Sequence, residues 1–143
     1  MEEKLKNPVW ASLCETHRSF SLDYEGVKFY NPNICPFGAF TDAAKTANAL
    51  NAYAKLTDSF FLVSENETPT FDDNFVILDH KIEGCQMVLE NFLEVDISEN
   101  IIPLTKKHQE EIYNLIWLVM PGYYQMRSLE MGHYFGIFKD QKL

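Results

Sequence analysis

The stretch that decides the fold is Leu104–Leu143, with the sequence LTKKHQEEIYNLIWLVMPGYYQMRSLEMGHYFGIFKDQKL. Its first part predicts one amphipathic helix over residues 105–120, because apolar side chains recur at i, i+3, i+4 and i+7. The side chains that we expect to be buried on that face are Ile112, Leu115, Ile116 and Val119. Thr105 is placed to cap the helix, and Pro121 with Gly122 ends it.

The rest of this stretch predicts a loop, a short helical turn and a strand. The loop begins with Tyr123 and Tyr124, and the turn lies around Ser128–Met131. The apolar and aromatic run His133–Phe138 is typical of a strand, and Lys139–Gln141 is typical of a hairpin turn. The order is therefore helix, aromatic loop, short helix and strand.

That order resembles the opening of a GNAT-superfamily N-acetyltransferase domain. The similarity is to a subfamily with an extra N-terminal region, whose members carry a series of Pro-Gly, Arg-Ser/Thr, Leu/Met-Gly and Tyr-x-Gly-Ile. The matching residues of this chain are Pro121, Gly122, Arg127, Ser128, Met131, Gly132, Tyr134, Gly136 and Ile137. The segments NPVWASL at residues 7–13 and CPFGAF at Cys35–Phe40 are also similar to that subfamily.

The resemblance implies an α+β (mixed α/β) fold with a mixed, largely antiparallel sheet flanked by helices, GNAT-like and incomplete at its C-terminus. It divides the chain into an N-terminal α/β region, residues 1–97, and the first elements of an acetyltransferase domain, residues 98–143. Those elements are a strand at Ile101–Leu104, two helices and a second strand. In the family a later strand leads into a Gly-rich turn and helix that holds the cofactor pyrophosphate, and we expect that part to lie beyond Leu143.

The N-terminal region predicts two helices and several short strands. The first helix is expected over Pro8–Phe20, and the second, capped by Thr41 or Asp42, extends to about Leu56. The side chains that share a face of the second helix are Ala47, Leu50 and Ala54. The predicted strands are Val27–Tyr30, Phe37–Phe40, Phe60–Val63, Phe75–Leu78 and Cys85–Leu89. Ser64–Asn74 is expected to be an exposed loop.

Composition excludes several classes of function. The chain has 143 residues, 46% of them hydrophobic, and its formal charge is −9, from 12 Lys and Arg against 21 Asp and Glu. This charge opposes a general role on nucleic acid or on anionic lipid. The N-terminus MEEKLKNPVW lacks the apolar core of a signal peptide, and no apolar run has the length of a membrane span. We therefore expect a cytoplasmic protein with reduced cysteines and no membrane or nucleic-acid partner.

The chemistry of the resemblance requires a phosphate cradle and an acceptor cleft. A cradle uses glycines at a helix N-terminus, and none of the six glycines forms a GxG pair, so we expect no acetyl-CoA bound to this chain. By resemblance, Tyr123, Tyr124 and Arg127 are wall residues of the acceptor pocket and bind the amine substrate. The alternative is that both tyrosines pack against the helix end and Arg127 caps carbonyl groups. No catalytic residue is assigned.

Two other groups of polar residues are candidate functional sites. Cys14 and His17 are three residues apart on one helix face, but two ligands do not make a metal site, and a half-buried imidazole is the simpler interpretation. No metal is expected. Lys106, Lys107 and His108 place positive charge at the start of the long helix, where the helix dipole opposes it. This unfavourable placement of charge indicates either a functional site or a solvent-exposed face of the helix.

Three functions remain open from the sequence. The first is the N-terminal region of a GNAT-type N-acetyltransferase, whose complete form transfers an acetyl group from acetyl-CoA to a small-molecule or peptide amine. In that case this chain alone is expected to be inactive. The second is a non-catalytic interaction module, and the third is a small-ligand binding module with a related fold. The unpaired edge of His133–Phe138 further predicts a homodimer through this C-terminal strand.

Overall fold

The computed structural model describes residues 2–91 and 94–143, and both helices and strands occur along them. The α-helices are α1 (Glu2–Lys6), α2 (Pro8–Cys14), α3 (Thr46–Tyr53) and α4 (Gln109–Val119). The strands are β1 (Ser21–Asp23), β2 (Val27–Tyr30), β3 (Phe37–Phe40), β4 (Phe61–Val63), β5 (Ile101–Leu104) and β6 (Tyr134–Ile137). Short 3₁₀ turns lie at Arg18–Phe20, Ala43–Lys45, Lys106–His108 and Ser128–Met131. The predicted α+β class is confirmed.

A mixed sheet of β1, β2, β3 and β4, in that order, organises the N-terminal region. Strands β2 and β3 have the predicted bounds and form an antiparallel hairpin in which Val27 lies opposite Phe40. Strand β4 pairs with β3 in parallel, which places Phe61 beside Phe37. Strand β1 was not predicted, because its three residues are too few to show a period.

The core of this region forms where α3 packs on the sheet. Tyr53 is fully buried, its ring stacks on Phe29 with 3.9 Å between centroids, and its hydroxyl donates to the Tyr30 carbonyl at 2.8 Å. A Cβ at Gly38 would come within 2.2 Å of the Phe29 ring, so only glycine allows β3 to approach this stack. Ala47 and Ala54, predicted to share a face with Leu50, are only half-buried, and Ala54 lies just after the helix. The ring of Tyr53 sets the buried face, whose members are Thr46, Ala49, Leu50 and Tyr53.

The first long helix is shorter than the predicted Pro8–Phe20. Asn7 caps α2 as expected, since its side chain accepts from the Trp10 amide at 3.0 Å. The helix stops at Cys14, and the His17 amide then bonds to the Ser12 carbonyl at 2.8 Å, five residues back. This turn is wider than a turn of α-helix, and after it the His17 ring bonds to Tyr30 in the interior. A separate 3₁₀ turn follows.

Two predicted strands do not form. Phe75–Leu78 and Cys85–Leu89 adopt neither strand nor helix, and they are largely exposed, with Ile77 at 82% and Met87 at 85% exposure. A strand needs a neighbour to satisfy its backbone groups, and neither segment pairs with a strand of the described residues. The predicted loop Ser64–Asn74 contains no helix or strand. The boundary between residues 97 and 98 stays a prediction.

The C-terminal region follows the predicted order of elements. Strands β5 and β6 pair antiparallel, from Ile101 opposite Ile137 to Leu104 opposite Tyr134. Thr105 caps the helix through a capping box with His108, as expected. The returning turn is confirmed too: the Lys139 and Lys142 backbones exchange two hydrogen bonds of 2.9 Å.

The buried face predicted for this helix is only partly correct. Ile112 is 2% exposed and Ile116 is half-buried, but Leu115 is 40% and Val119 is 66% exposed. The helical period predicts one apolar stripe along the whole helix. In the structure the rest of the described chain covers mainly the first half of α4. The second half therefore presents apolar side chains to solvent. No helix in the described part of the chain is long and apolar enough to cross a membrane.

Candidate functional site

An open cleft of about 280 Å³ lies between the start of α4 and the Ser128–Met131 turn, and we name it the β5–α4 cleft. One wall comes from the end of β5 and the first turn of the helix, and the other from the loop and turn that precede β6. The residues that line it are Leu104, Thr105, Lys106, Gln109, Met126, Leu129, Glu130, Gly132 and His133.

Hydrogen bonds fix the two walls relative to each other. At the first wall, the Thr105 amide donates to Nδ1 of His108 at 3.0 Å, which orients the start of the helix. Across the cleft, Nε2 of Gln109 donates to the Met126 carbonyl at 2.7 Å. One hydrogen bond from a side chain to a backbone carbonyl therefore links the two walls of the cleft.

The second wall is anchored on the N-terminal region through Ser128. This residue is 1% exposed, and its hydroxyl donates to the Ile34 carbonyl at 2.6 Å. The same oxygen accepts from the Gln125 amide at 2.9 Å. One hydroxyl thus joins the loop to a segment 94 residues earlier in the chain.

His17 provides a second anchor for this wall. Its Nε2 lies 2.8 Å from the Met131 carbonyl, and its Nδ1 lies 2.9 Å from Ser12 Oγ and 2.8 Å from the Tyr30 hydroxyl. A carbonyl only accepts, so Nε2 carries the proton in the neutral ring and Nδ1 accepts from a hydroxyl. Both ring nitrogens are used, which supports the interpretation of His17 as a structural imidazole.

Opposite charges face each other in the cleft. The Glu130 carboxylate receives two hydrogen bonds from Arg127, from Nε to Oε1 at 2.7 Å and from Nη2 to Oε2 at 2.8 Å. This pairing lowers the pKa of Glu130, and the positive charge of Lys106 lowers it further. Glu130 therefore stays ionised at neutral pH. Lys106 makes no ion pair with the residues that the structure describes.

Tyr123, predicted as a wall residue of the acceptor pocket, packs on the N-terminal sheet. Its ring stacks on Phe61 with 4.5 Å between centroids and 29° between planes, and it lies 5.9 Å from the Phe37 ring. The partners of this ring belong to β4 and β3 and not to the end of α4, which was the alternative position. Tyr123 does not line the β5–α4 cleft.

Tyr124 and Arg127, the other two predicted residues, do not line the cleft either. Tyr124 is 6% exposed and meets the Tyr134 ring edge-on at 5.9 Å. Its hydroxyl is buried without a hydrogen-bond partner, and burial, with the nearby Tyr134, raises its pKa to about 12. Arg127 is exposed and binds Glu130, not a helix carbonyl. The assignment of all three as substrate-binding residues stays a prediction.

The sequence did not single out Glu130 or Gln109, and it left Lys106 between a site and a solvated face. The only available signal was the positive charge at the helix start. Among the described residues, no group of three or more His, Cys, Asp or Glu side chains is arranged to hold a metal ion. Cys14 and His17 therefore do not gain a third ligand from that part of the chain.

Comparisons of this chain with protein-family models, with curated proteins and with solved structures gave no match.

Proposed function

We propose that residues 98–143 form the opening of a GNAT-type N-acetyltransferase domain. In this proposal the chain supplies the acceptor side of an enzyme that transfers an acetyl group from acetyl-CoA to an amine. The order β5, α4, short helical turn and β6 supports the proposal, because it is the order that the resemblance implies. The antiparallel pairing of β5 with β6 also suits a largely antiparallel sheet.

The observation that carries the proposal is the position of the cleft. In GNAT enzymes the segment between the first two helices shapes the acceptor pocket. Here the corresponding segment and the turn after it supply Met126, Leu129 and Glu130 to the β5–α4 cleft. An acceptor amine placed there would contact a carboxylate and apolar surface.

The described residues do not fit the cofactor pyrophosphate. A cradle needs glycine backbone between a strand and the N-terminus of a helix. Gly122 follows α4 instead of preceding a helix, Gly38 packs against Phe29, and Gly136 packs against Leu104 and Leu143. In the proposal acetyl-CoA is held by polypeptide beyond Leu143, and no step of the reaction is assigned to residues of this chain.

Exposed apolar surface supports the view that further elements cover this region. On α4, Trp117 is 51% and Leu118 is 79% exposed, and on β6 Phe135 is 64% exposed. Large apolar side chains left exposed on neighbouring positions, such as Trp117 and Leu118, are typical of a surface that another element or partner covers. Pro103 lies in β5, and proline is confined to edge strands, so additional strands would join on the β6 side.

The protein from the complete reading frame tests the proposal. It is incubated with acetyl-CoA and pooled amines, free CoA thiol is followed over time, and acetylated products are identified by mass spectrometry. Amine-dependent CoA release with a matching acetylated product is the expected result. Ligand binding in the cleft without any acetyl transfer would instead support a non-catalytic binding module.

We further propose that isolated chains pair through β6. Strand β5 pairs with one edge of β6, and no other strand of the described residues pairs with the opposite edge. Light scattering should therefore give twice the monomer mass of 16.6 kDa. A monomeric mass across a hundredfold dilution series would contradict the dimer.

The proposal places the protein in the cytoplasm. Cys14, Cys35 and Cys85 are all free thiols, which suits a reducing compartment. Imaging of a tagged full-length protein tests this location, and a secreted or membrane-bound pool would contradict it.

A further inference from the structure

We infer that the β5–α4 cleft binds a free α-amino acid with an apolar side chain, its carboxylate on Lys106 and its ammonium group on Glu130. The inference rests on the proposed function only for the role of this ligand as the acetyl acceptor. Binding itself is measurable without turnover.

Lys106 is the residue that would bind the carboxylate of the ligand. Lys106 lies in the 3₁₀ turn that leads into α4, where the helix dipole makes a positive charge unfavourable, and it forms no ion pair with the described residues. An anion in the cleft would remove that penalty. Lys106 and Glu130 line the same small volume, so a ligand that touches one is within reach of the other.

Glu130, which Arg127 holds in place, is the residue that would bind the ammonium group of the ligand. Arg127 binds both carboxylate oxygens and fixes their direction, but each oxygen keeps a second lone pair. Glu130 is therefore able to accept from a ligand ammonium group without releasing Arg127. Two opposite charges that line one small cleft favour a zwitterion over a simple amine or a simple acid.

The remaining surface selects the side chain. Leu104, Met126 and Leu129 provide the apolar part of the lining. The volume of about 280 Å³ lies at the lower end for small-molecule sites, which suits an amino acid better than a peptide or a nucleotide. A peptide N-terminus would also lack the α-carboxylate that Lys106 is placed to bind.

Titration of the ¹⁵N-labelled chain with L-leucine, followed by NMR, tests the inference. We expect saturable shifts in residues 104–109 and 126–133. Isoamylamine lacks only the carboxylate of leucine and 4-methylpentanoate lacks only its amine, so each should bind about tenfold or more weakly, the loss of one charged hydrogen bond. Equal binding of either analogue, or no saturable shift up to about 10 mM leucine, would overturn it.

Substitutions test whether Lys106 and Glu130 bind the two charged groups of leucine. Lys106→Met and Glu130→Gln should each weaken leucine binding about tenfold or more. Lys107→Met is the matched control: it removes the same charge from the same turn, at an exposed residue outside the cleft lining, and should leave binding unchanged. Circular dichroism confirms that each variant is folded. Equal loss in the control would show a general charge effect and contradict the site.

Arg127 acts as a positioning residue for Glu130. Without it the pKa of Glu130 rises, so Arg127→Gln should shift the acid limit of leucine binding to higher pH. A purely structural role would weaken binding equally at all pH values. Leucine binding without acetyl transfer would leave this inference standing while the proposed function fails. Acetylation of other amines without leucine binding would do the reverse.

Discussion

Ser128→Ala should loosen the second wall of the cleft, because the serine hydroxyl is the centre of its attachment. Oγ donates to the Ile34 carbonyl at 2.6 Å and accepts from the Gln125 amide at 2.9 Å, at a residue only 1% exposed. Each lost bond costs about 1 kcal/mol, and a backbone group left unpaired in a buried place costs about 1–3 kcal/mol. We expect the free energy of unfolding to fall by about 2–4 kcal/mol.

Thermal unfolding and hydrogen exchange measure this effect. For a chain of this size the loss corresponds to a melting temperature lower by roughly 5–15 °C. Amides in residues 123–131 should exchange faster, while those of β2 change less. Ser98→Ala is the control, because that exposed hydroxyl contacts only the neighbouring Glu99. An unchanged melting curve together with unchanged exchange would refute the role of Ser128 as an anchor.

Three further predictions concern burial. Ile112→Ala should cost about 2–5 kcal/mol of stability, whereas Leu118→Ala, at a residue 79% exposed, should cost under about 0.5 kcal/mol, and equal melting temperatures would contradict the helix orientation. Tyr124→Phe removes a buried hydroxyl without a partner, so stability should stay equal or rise, and a loss above about 1 kcal/mol would reveal a missed bond. Iodoacetamide at pH 8 should alkylate exposed Cys85 well before Cys35, because burial raises the pKa of Cys35 to about 11; equal rates argue against that burial.

Local signals in the sequence were enough to predict the strands that pair with a neighbour close in sequence or are flanked by strong turn residues. Strands β2 and β3 match their predicted bounds because Asn31 and Pro32 favour the turn between them. The cap at Thr105, which precedes the 3₁₀ turn leading into α4, was predictable as well, because threonine is favoured at helix starts. These elements depend on interactions between residues that are close together in the sequence.

Distant contacts decided the features that were mispredicted. Helix α2 ends early where the His17 ring turns to meet Tyr30 and Met131, and Met131 lies 114 residues away. The apolar run Cys85–Leu89 has the composition of a strand, but composition does not supply a partner. Lys106 and Glu130 line one cleft because the turn after α4 folds back towards the start of that helix, so their spacing in the sequence carries no sign of a site.

The connection between β4 and β5 bears on how this protein tolerates change in its length. Its described residues form no helix or strand, while the contacts that join the two regions, such as Tyr123 on Phe61 and Ser128 on Ile34, lie outside it. The free energy of closing a flexible loop grows only with the logarithm of its length, so doubling this connection would cost about 0.6 kcal/mol. Residues can therefore be inserted or deleted in its exposed part, 77–91 and 94–100, without displacing either wall of the cleft. The earlier part is constrained, because the Thr70 carbonyl accepts from the buried Thr46 hydroxyl at 2.6 Å and Phe71 packs on the core.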